Sequence, residues 1–499
     1  MTDTIDTLVR ARAGLGDKPF LIDTMSRIGY AELADTTSEL AAGLVAAGVT
    51  KGSRVGLIMP NGVRWAQIAI ALTRIGAVLV PLSTLLTGSE LVAQLEVASV
   101  RHLISVEEFR GHRYLEAVQP QLANLPALRH VWRAGELPSG GSDVEVEALA
   151  GTVVPADPMV VMFTSGSSGP PKGVIHSHGS ALAAVNAGLS GRRIDADTRL
   201  YVPMPFFWVG GFGTGLLTVL VAGATLVTEA IPEPRATLRL MERERVTSFR
   251  GWPAQAEALA RHAAELSADL SALRPGSLEA LLPPDQRSAP GARANLLGMT
   301  ESFGPYCGYA MDTDMPRSAW GSCGKPFDGV DVRIVDRETG RPVPPGLVGE
   351  IQVRGPQMLR GMCRRSREDL FTVDGFYSTG DLGLLDSEGF LFYHGRSDDM
   401  FKVSGASVYP SEVTAALREI NGVRAAFVTE VNGQVGAAVV CDGLTSVQLR
   451  SQARQLLSSF KVPTVWLLLE SDDDVPRGAT GKVDTRRLRK LLASAAVVR

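Results

Sequence analysis

Short apolar runs alternate with stretches of helical spacing along most of the chain, and this alternation constrains the fold more than any other feature. Tyr30 to Ala47 has helical spacing and ends near Gly48. Arg54 to Met59 then reads as a buried strand, with Pro60-Asn61-Gly62 as its turn. Gln67 to Ile75 is helical, while Ala77 to Pro81, Met159 to Phe163, Leu200 to Val202 and Ala224 to Val227 read as strands. A strand buried on both faces shows a continuous apolar run, and parallel strands need crossovers between them. The pattern predicts α/β layers built on parallel sheet.

After about Trp320 the pattern changes. Val330 to Val335, Gly349 to Val353 and Gly389 to Tyr393 are short strands between Gly- and Pro-rich turns, which predicts a small β-barrel-like part. From Gly395-Arg396 onward a compact α+β segment follows. Pro410 and Ser411 open a helix with Val413, Leu417 and Ile420 on one face, strands Ala425 to Val431 and Val435 to Val440 come next, and a helix begins at about Ser446. The expected division is a large N-terminal domain of layered α/β subdomains, 1–395, and a small α+β C-terminal domain, 396–499. At roughly 150 residues per domain, 499 residues allow two to four such units.

With 45% apolar and 21% charged residues the chain can bury a sizeable core. A net charge of −3 with no run of Lys or Arg gives no footprint for nucleic acid or an anionic membrane. Cys307, Cys323, Cys363 and Cys441 are scattered, which supports neither a disulfide framework nor a zinc knuckle. Met1 to Gly16 has no apolar core of the kind a secretory leader needs. The longest apolar stretch, Gly213 to Val227, falls short of the roughly 18 residues of a membrane span. A cytoplasmic protein without integral membrane association is the expectation; oligomeric state is not legible.

The most informative segment runs from Phe163 through Thr164, Ser165, Gly166, Ser167, Ser168, Gly169, Pro170 and Pro171 to Lys172 and Gly173. A strand delivers a loop in which glycines let backbone N–H groups approach phosphate oxygens, hydroxyls add donors and lysine adds charge. A flexible Gly/Ser turn is the plain alternative. A Walker A loop is excluded, because the spacing from Gly166 to Lys172 is wrong and Gly173 stands where Ser or Thr would hold magnesium.

This loop resembles the signature of the adenylate-forming superfamily, which includes acyl-CoA synthetases, firefly luciferase and peptide-synthetase adenylation domains. The likeness spans nearly the whole chain. Gly48 to Val55, Pro60-Asn61 and Gly76-Ala77-Val78 look like the family's first structural segment. Gly298-Met299-Thr300-Glu301 resembles its magnesium and phosphate element, Tyr377-Ser378-Thr379-Gly380-Asp381 its ribose-binding element, and Gly395 to Asp399 its hinge. Gly478 to Lys482 is similar to its C-terminal lysine motif. Five motifs in the family's order are far more specific than any one.

The resemblance implies a mobile C-terminal domain and a role for each matching residue. A carboxylate must attack the α-phosphate of ATP although both are anions, so cations and donors are needed where negative charge accumulates. Thr164, Ser165, Gly166, Ser167, Ser168, Gly169 and Lys172 would hold the β- and γ-phosphates. Thr300 would touch the α-phosphate and Glu301 would bind Mg2+, a hard cation suited to carboxylate and phosphate oxygens. Leu297, Gly298 and Met299 would border the nucleotide. Asp381 would accept from both ribose hydroxyls, Arg396 would assist there, and Lys482 would bridge carboxylate and α-phosphate. Asp398 marks the hinge, and Gly405, within Lys402 to Glu412, would let CoA approach. His176 and His178 read as structural or orienting residues, since a carboxylate is already ionised at neutral pH and needs no base.

Three departures bear on the substrate. Leu297 stands where the family commonly stacks an aromatic residue on adenine. Pro275 to Pro284 matches poorly the family's usual Gly-Gly-Ala-Pro-like stretch. Trp208 occupies the position of a common histidine in the acyl-binding segment, and no aspartate stands near it to pair an α-ammonium group, which argues against an amino acid. Phe206, Phe207, Trp208, Trp252 and Phe303 are candidate acyl-pocket residues and suggest an apolar acid: fatty, aryl or alicyclic. The expected activity is ATP-dependent acid:CoA ligation with ATP, Mg2+ and coenzyme A. An acyl-AMP ligase that loads a carrier protein and a non-catalytic nucleotide-binding relative are the alternatives. Such carrier-loading enzymes often carry an insertion near the domain junction, which is missing around residue 396, and a luciferase-like oxidase has no positive signal. Retention of Lys172, Glu301, Asp381 and Lys482 weighs against a non-catalytic role.

Overall fold

The alternating pattern resolves into two large sheets that share one core. The structure, a computed structural model, describes residues 3–164, 171–397, 401–403, 406–457, 461–478 and 482–497. Its contacts separate two compact units.

The first unit comprises Met1–Gly166, Pro170–Asp331 and Arg354–Tyr377. Its seven-stranded sheet runs, in spatial order, Gly361–Met362, Lys172–Ser177, Pro158–Thr164, Val78–Pro81, Arg54–Ile58, His102–Ser105 and His130–Arg133. The five strands from Pro158–Thr164 to His130–Arg133 pair in parallel, and three of them, Pro158–Thr164, Val78–Pro81 and Arg54–Ile58, match the apolar runs read as strands. Lys172–Ser177 pairs antiparallel with Pro158–Thr164, so the sheet is mixed. A five-stranded sheet runs Ser248–Phe249, Arg199–Tyr201, Thr225–Val227, Pro19–Ile22 and Arg27–Gly29, parallel except at its last pair.

Both sheets send side chains into one core with helices Val63–Arg74 and His178–Leu189, among them Leu57, Trp65, Met159, Leu182, Leu200, Phe206 and Phe212. Trp65 sits at its centre, edge-on to Phe206 at 5.1 Å and Phe212 at 5.6 Å. Arg74 is buried there too, and the ring of acceptors around it explains how a charge is tolerated. Its Nε donates to Asp6 at 2.8 Å and its Nη1 to Ala34 O and Thr37 Oγ1.

The second unit gathers Val332–Val353 and Ser378–Arg499. Strands Asp331–Val335, Gly349–Arg354, Tyr377–Leu385 and Leu391–Arg396 form a four-stranded sheet in that order. No pairing joins its first and last strands among the described residues, so the expected barrel-like part is an open sheet. Beyond it, Val423–Val431 pairs antiparallel with Gln434–Cys441, which pairs in parallel with Val465–Leu469. Side chains alternate across a strand, and here Ala437 and Val439 pack with Val413, Leu417 and Leu449, whereas Ala438 packs with Leu488 and Leu492 on the other face. Among the described residues no helix is long and apolar enough to cross a membrane.

Candidate active site

The Gly/Ser loop is closed by a hairpin. Met159 to Met162 are buried and fix the incoming strand, and the pairing of Thr164 with Lys172 sets the point at which the chain leaves the sheet and returns. Thr164 is half-buried and Lys172 exposed. Ser165, Gly166, Ser167, Ser168 and Gly169 lie outside the described residues.

The returning strand carries His176 and ends at Ser177, which caps helix His178–Leu189 reciprocally with Ser180. His176 is buried. Its Nε2 lies 2.8 Å from the carbonyl oxygen of Thr300, and its Nδ1 lies 3.4 Å from Ser180 Oγ. Burial pushes the imidazole down to about 4, although the bond to Thr300 opposes the shift. A neutral ring donating from Nε2 and accepting at Nδ1 satisfies both contacts. His178 is buried as well, accepts from the Ile5 N–H at 3.3 Å and is lowered by desolvation to about 4. Both histidines are placed to orient backbone, and neither is placed to take a proton from solvent.

Thr300 and Glu301 sit at the tip of a second hairpin, formed by Leu297–Met299 and Gly304–Gly308. The strands approach so closely that a Cβ on Gly298 would lie 2.4 Å from the Gly304 carbonyl oxygen, so this position requires glycine. Ser302 tightens the turn by donating to Gly304 O at 2.7 Å, and Phe303 takes a positive φ of 53°, uncommon for a bulky residue. Glu301 is half-buried: its carbonyl accepts from Leu359 N–H at 2.8 Å and its Oε1 accepts from the Tyr377 hydroxyl at 3.4 Å. Leu297 is half-buried at the base of the same hairpin.

In the second unit Asp381 is buried on strand Tyr377–Leu385, opposite Arg396 in register. Arg396 Nη1 donates to Asp381 Oδ1 at 3.3 Å and to Thr379 O at 3.0 Å. Lys482 is exposed, and its carbonyl accepts from Gly478 N–H at 2.8 Å. Asp398 and Gly405 lie outside the described residues.

The aromatic candidates divide into two groups. Phe206 and Phe303 are buried in the large core, Phe303 against His176 at 4.9 Å. Phe207, Trp208 and Trp252 form a chain of edge-on contacts that ends at Trp252, which is 42% exposed. Sequence reasoning passed over Arg192 and Arg250, which line a cavity of about 480 Å³ in the first unit. Position gave no signal: Arg250 directly follows the parallel strand Ser248–Phe249, but the cavity is also lined by Thr198 and Thr247, which immediately precede strands Arg199–Tyr201 and Ser248–Phe249.

Comparison with known proteins places the chain in a family. The profile described as "AMP-binding enzyme" matches residues 8–362. The chain is 32% identical over 515 residues to 3-[(3aS,4S,7aS)-7a-methyl-1,5-dioxo-octahydro-1H-inden-4-yl]propanoyl:CoA ligase of Mycobacterium tuberculosis, covering 98% of each protein. It is also 32% identical over 493 residues to indoleacetate–CoA ligase of Aromatoleum aromaticum, covering 93% of each. Among solved structures, the anthranilate CoA ligase AuaEII in complex with anthranoyl-AMP superposes with a TM-score of 0.83 at 23% identity, over 99% of this chain and 98% of that one, which is a likeness of fold.

Proposed function

The chain belongs to the AMP-binding enzyme family and is an AMP-forming acid:CoA ligase, and we propose that the acid it activates is apolar and ring-bearing. In this reading a carboxylate oxygen attacks the α-phosphorus of ATP, the bond to the bridging oxygen breaks and pyrophosphate leaves. The CoA thiolate then attacks the acyl carbon and AMP departs.

Two unit charges 4 Å apart near a protein surface repel by about 4 kcal/mol, whereas a neutral hydrogen bond contributes only about 1 kcal/mol net. The site therefore needs full charges facing the phosphates. Lys172 and Lys482 supply two, with Thr164, Thr300 and the loop residues Ser165 to Gly169 as donors. Glu301 suits Mg2+, because that ion is commonly held by one or two carboxylates together with substrate phosphates. Bound there, it would neutralise phosphate charge. Asp381, oriented by Arg396, receives the ribose hydroxyls.

The observation that supports adenylation at this site is the 2.8 Å contact between His176 and the Thr300 carbonyl. It ties the strand that closes the phosphate loop to the hairpin that presents Thr300 and Glu301, so the two phosphate-facing elements hold a fixed relation. A ring-bearing acid is supported by the names of both relatives, whose acyl groups are an indane-derived propanoyl and an indoleacetyl. The half-exposed Trp208 and Trp252 offer such rings apolar surface. The test is kcat/KM for CoA-dependent AMP release over ring-bearing and linear acids of equal carbon number. Ring-bearing acids are expected to lead by about 10-fold or more; a linear acid in front would overturn the assignment.

A further inference from the structure

The turn from Thr300 to Ser302 is held from inside and from outside. Inside, the Phe303 N–H donates to Thr300 O at 3.1 Å and the Ser302 hydroxyl to Gly304 O at 2.7 Å. Outside, two neighbouring strands of the seven-stranded sheet reach it. Gly361–Met362 pairs with Lys172–Ser177, Gly361 opposite Ile175 and Met362 opposite Val174. Leu359, two residues before the first of these strands, donates its N–H to Glu301 O at 2.8 Å. His176, on the second, stands with Nε2 at 2.8 Å from Thr300 O. A carbonyl oxygen only accepts, so Nε2 carries the hydrogen. The carbonyls of two consecutive residues are thus fastened to one sheet.

The two fastenings differ in kind. The bond to Glu301 comes from backbone, and any residue except proline at position 359 supplies it. The bond to Thr300 comes from a side chain that must place a donor at its far end in a site sealed from water, where His176 is fully buried. The ring is itself held. Phe303 lies against it at 4.9 Å, and Nδ1 lies 3.4 Å from Ser180 Oγ, whose place is set by the reciprocal cap with Ser177.

The oxygen that His176 holds belongs to the peptide between Thr300 and Glu301. That peptide is planar, so fixing its oxygen fixes the directions in which both side chains leave the backbone. Phe303 N–H takes one lone pair of this oxygen and His176 the other, and the plane cannot turn without losing one of them. Both ring nitrogens of His176 are engaged by the protein, so the imidazole touches no reacting atom.

We propose that His176 is a positioning residue for adenylation: by holding the Thr300–Glu301 peptide it aims the Thr300 hydroxyl at the α-phosphate and the Glu301 carboxylate at Mg2+. This rests on the acid:CoA ligase reading above. Attack at the α-phosphorus belongs to the first half-reaction, whereas the thiol attacks the acyl carbon, so the effect of His176 falls on the first.

The experiment compares the full-length enzyme with His176→Gln, His176→Asn and His176→Phe, using the acid with the highest kcat/KM in the comparison above. Glutamine places an amide donor near the position of Nε2, asparagine only near that of Nδ1, and phenylalanine keeps the ring without a donor. The Phe and Asn variants are expected to lower single-turnover acyl-AMP formation by about 10- to 100-fold, the loss that a misplacement of about 1 Å produces. Conversion of synthetic acyl-AMP and CoA to thioester should change by less than about 3-fold, and Gln should recover most of the adenylation rate at a similar Tm. Calorimetric titration with ATP alone, in Mg2+ and in EDTA, should show a smaller Mg2+ effect on Kd in Phe and Asn than in wild type. Equal losses in both half-reactions, a Gln variant no better than Phe, or an unaltered Mg2+ effect would make His176 a packing residue and overturn the proposal. Should Phe and Asn fail to fold, Ser180→Ala carries the test, because it frees Nδ1 and leaves the ring in place. It is expected to slow adenylation and spare thioester formation, and an unchanged adenylation rate would overturn the proposal. If wild type forms acyl-AMP and no variant slows it, the positioning role fails while the ligase reading stands. If wild type forms none from any acid, both fail.

Discussion

At the scale of single residues, the chemistry depends on where full charges stand. Lys482 offers a clean test, because its backbone contact, from Gly478 N–H to Lys482 O, is one that an alanine would retain. If the ammonium bridges carboxylate and α-phosphate, Lys482→Ala should lower acyl-AMP formation by about 100-fold or more. Conversion of synthetic acyl-AMP and CoA to thioester should change by less than about 3-fold. Rapid-quench measurement of both half-reactions checks this, and equal losses would remove the role. Lys172, Thr300, Glu301, Asp381 and Lys482 could be proposed from the sequence because each stands in a short motif and the motifs keep the order of the family they resemble. Arg192 and Arg250 could not. A lone arginine in one sequence reads as a solvated charge, and only the folded chain shows Arg192 laid across a helix end and the Nε of Arg250 sealed from solvent.

At the scale of elements, the hairpin Leu297–Met299 and Gly304–Gly308 sets the position of Thr300 and Glu301 through a backbone approach that admits no side chain at Gly298. Gly298→Ala should push the strands apart, cost about 1–3 kcal/mol and lower kcat/KM for ATP by about 10-fold or more. Thermal unfolding together with ATP saturation kinetics measures both effects. A variant with wild-type Tm and kinetics would mean that the turn does not position Thr300. Helices and buried strands were readable from periodicity, as with Val63–Arg74, expected from Gln67, and Arg54–Ile58, expected to Met59. Pairing was not readable. Lys172–Ser177 turns back antiparallel in a sheet expected to be parallel, and the short strands after Trp320 form an open sheet instead of a barrel-like part. Strand partners are chosen by side chains remote in the chain, which local pattern does not record.

At the scale of the whole molecule, the chemistry-bearing residues divide between the two units. Thr164, Lys172, Thr300 and Glu301 belong to the first, and Asp381, Arg396 and Lys482 to the second. In the proposed cycle Asp398 would mark the hinge and Gly405 would let CoA approach. What unites these assignments is one claim: the acid is activated through a bond between its own carboxylate oxygen and the α-phosphorus. That claim is open to a direct measurement. The enzyme is supplied with ATP, CoA and an acid labelled with oxygen-18 in its carboxylate, and the products are analysed by mass spectrometry. The account predicts AMP carrying one labelled oxygen and unlabelled pyrophosphate, because the C–O bond to the adenylate is the one the thiol breaks. Label in orthophosphate with ADP as the nucleotide product, or AMP free of label, would contradict it.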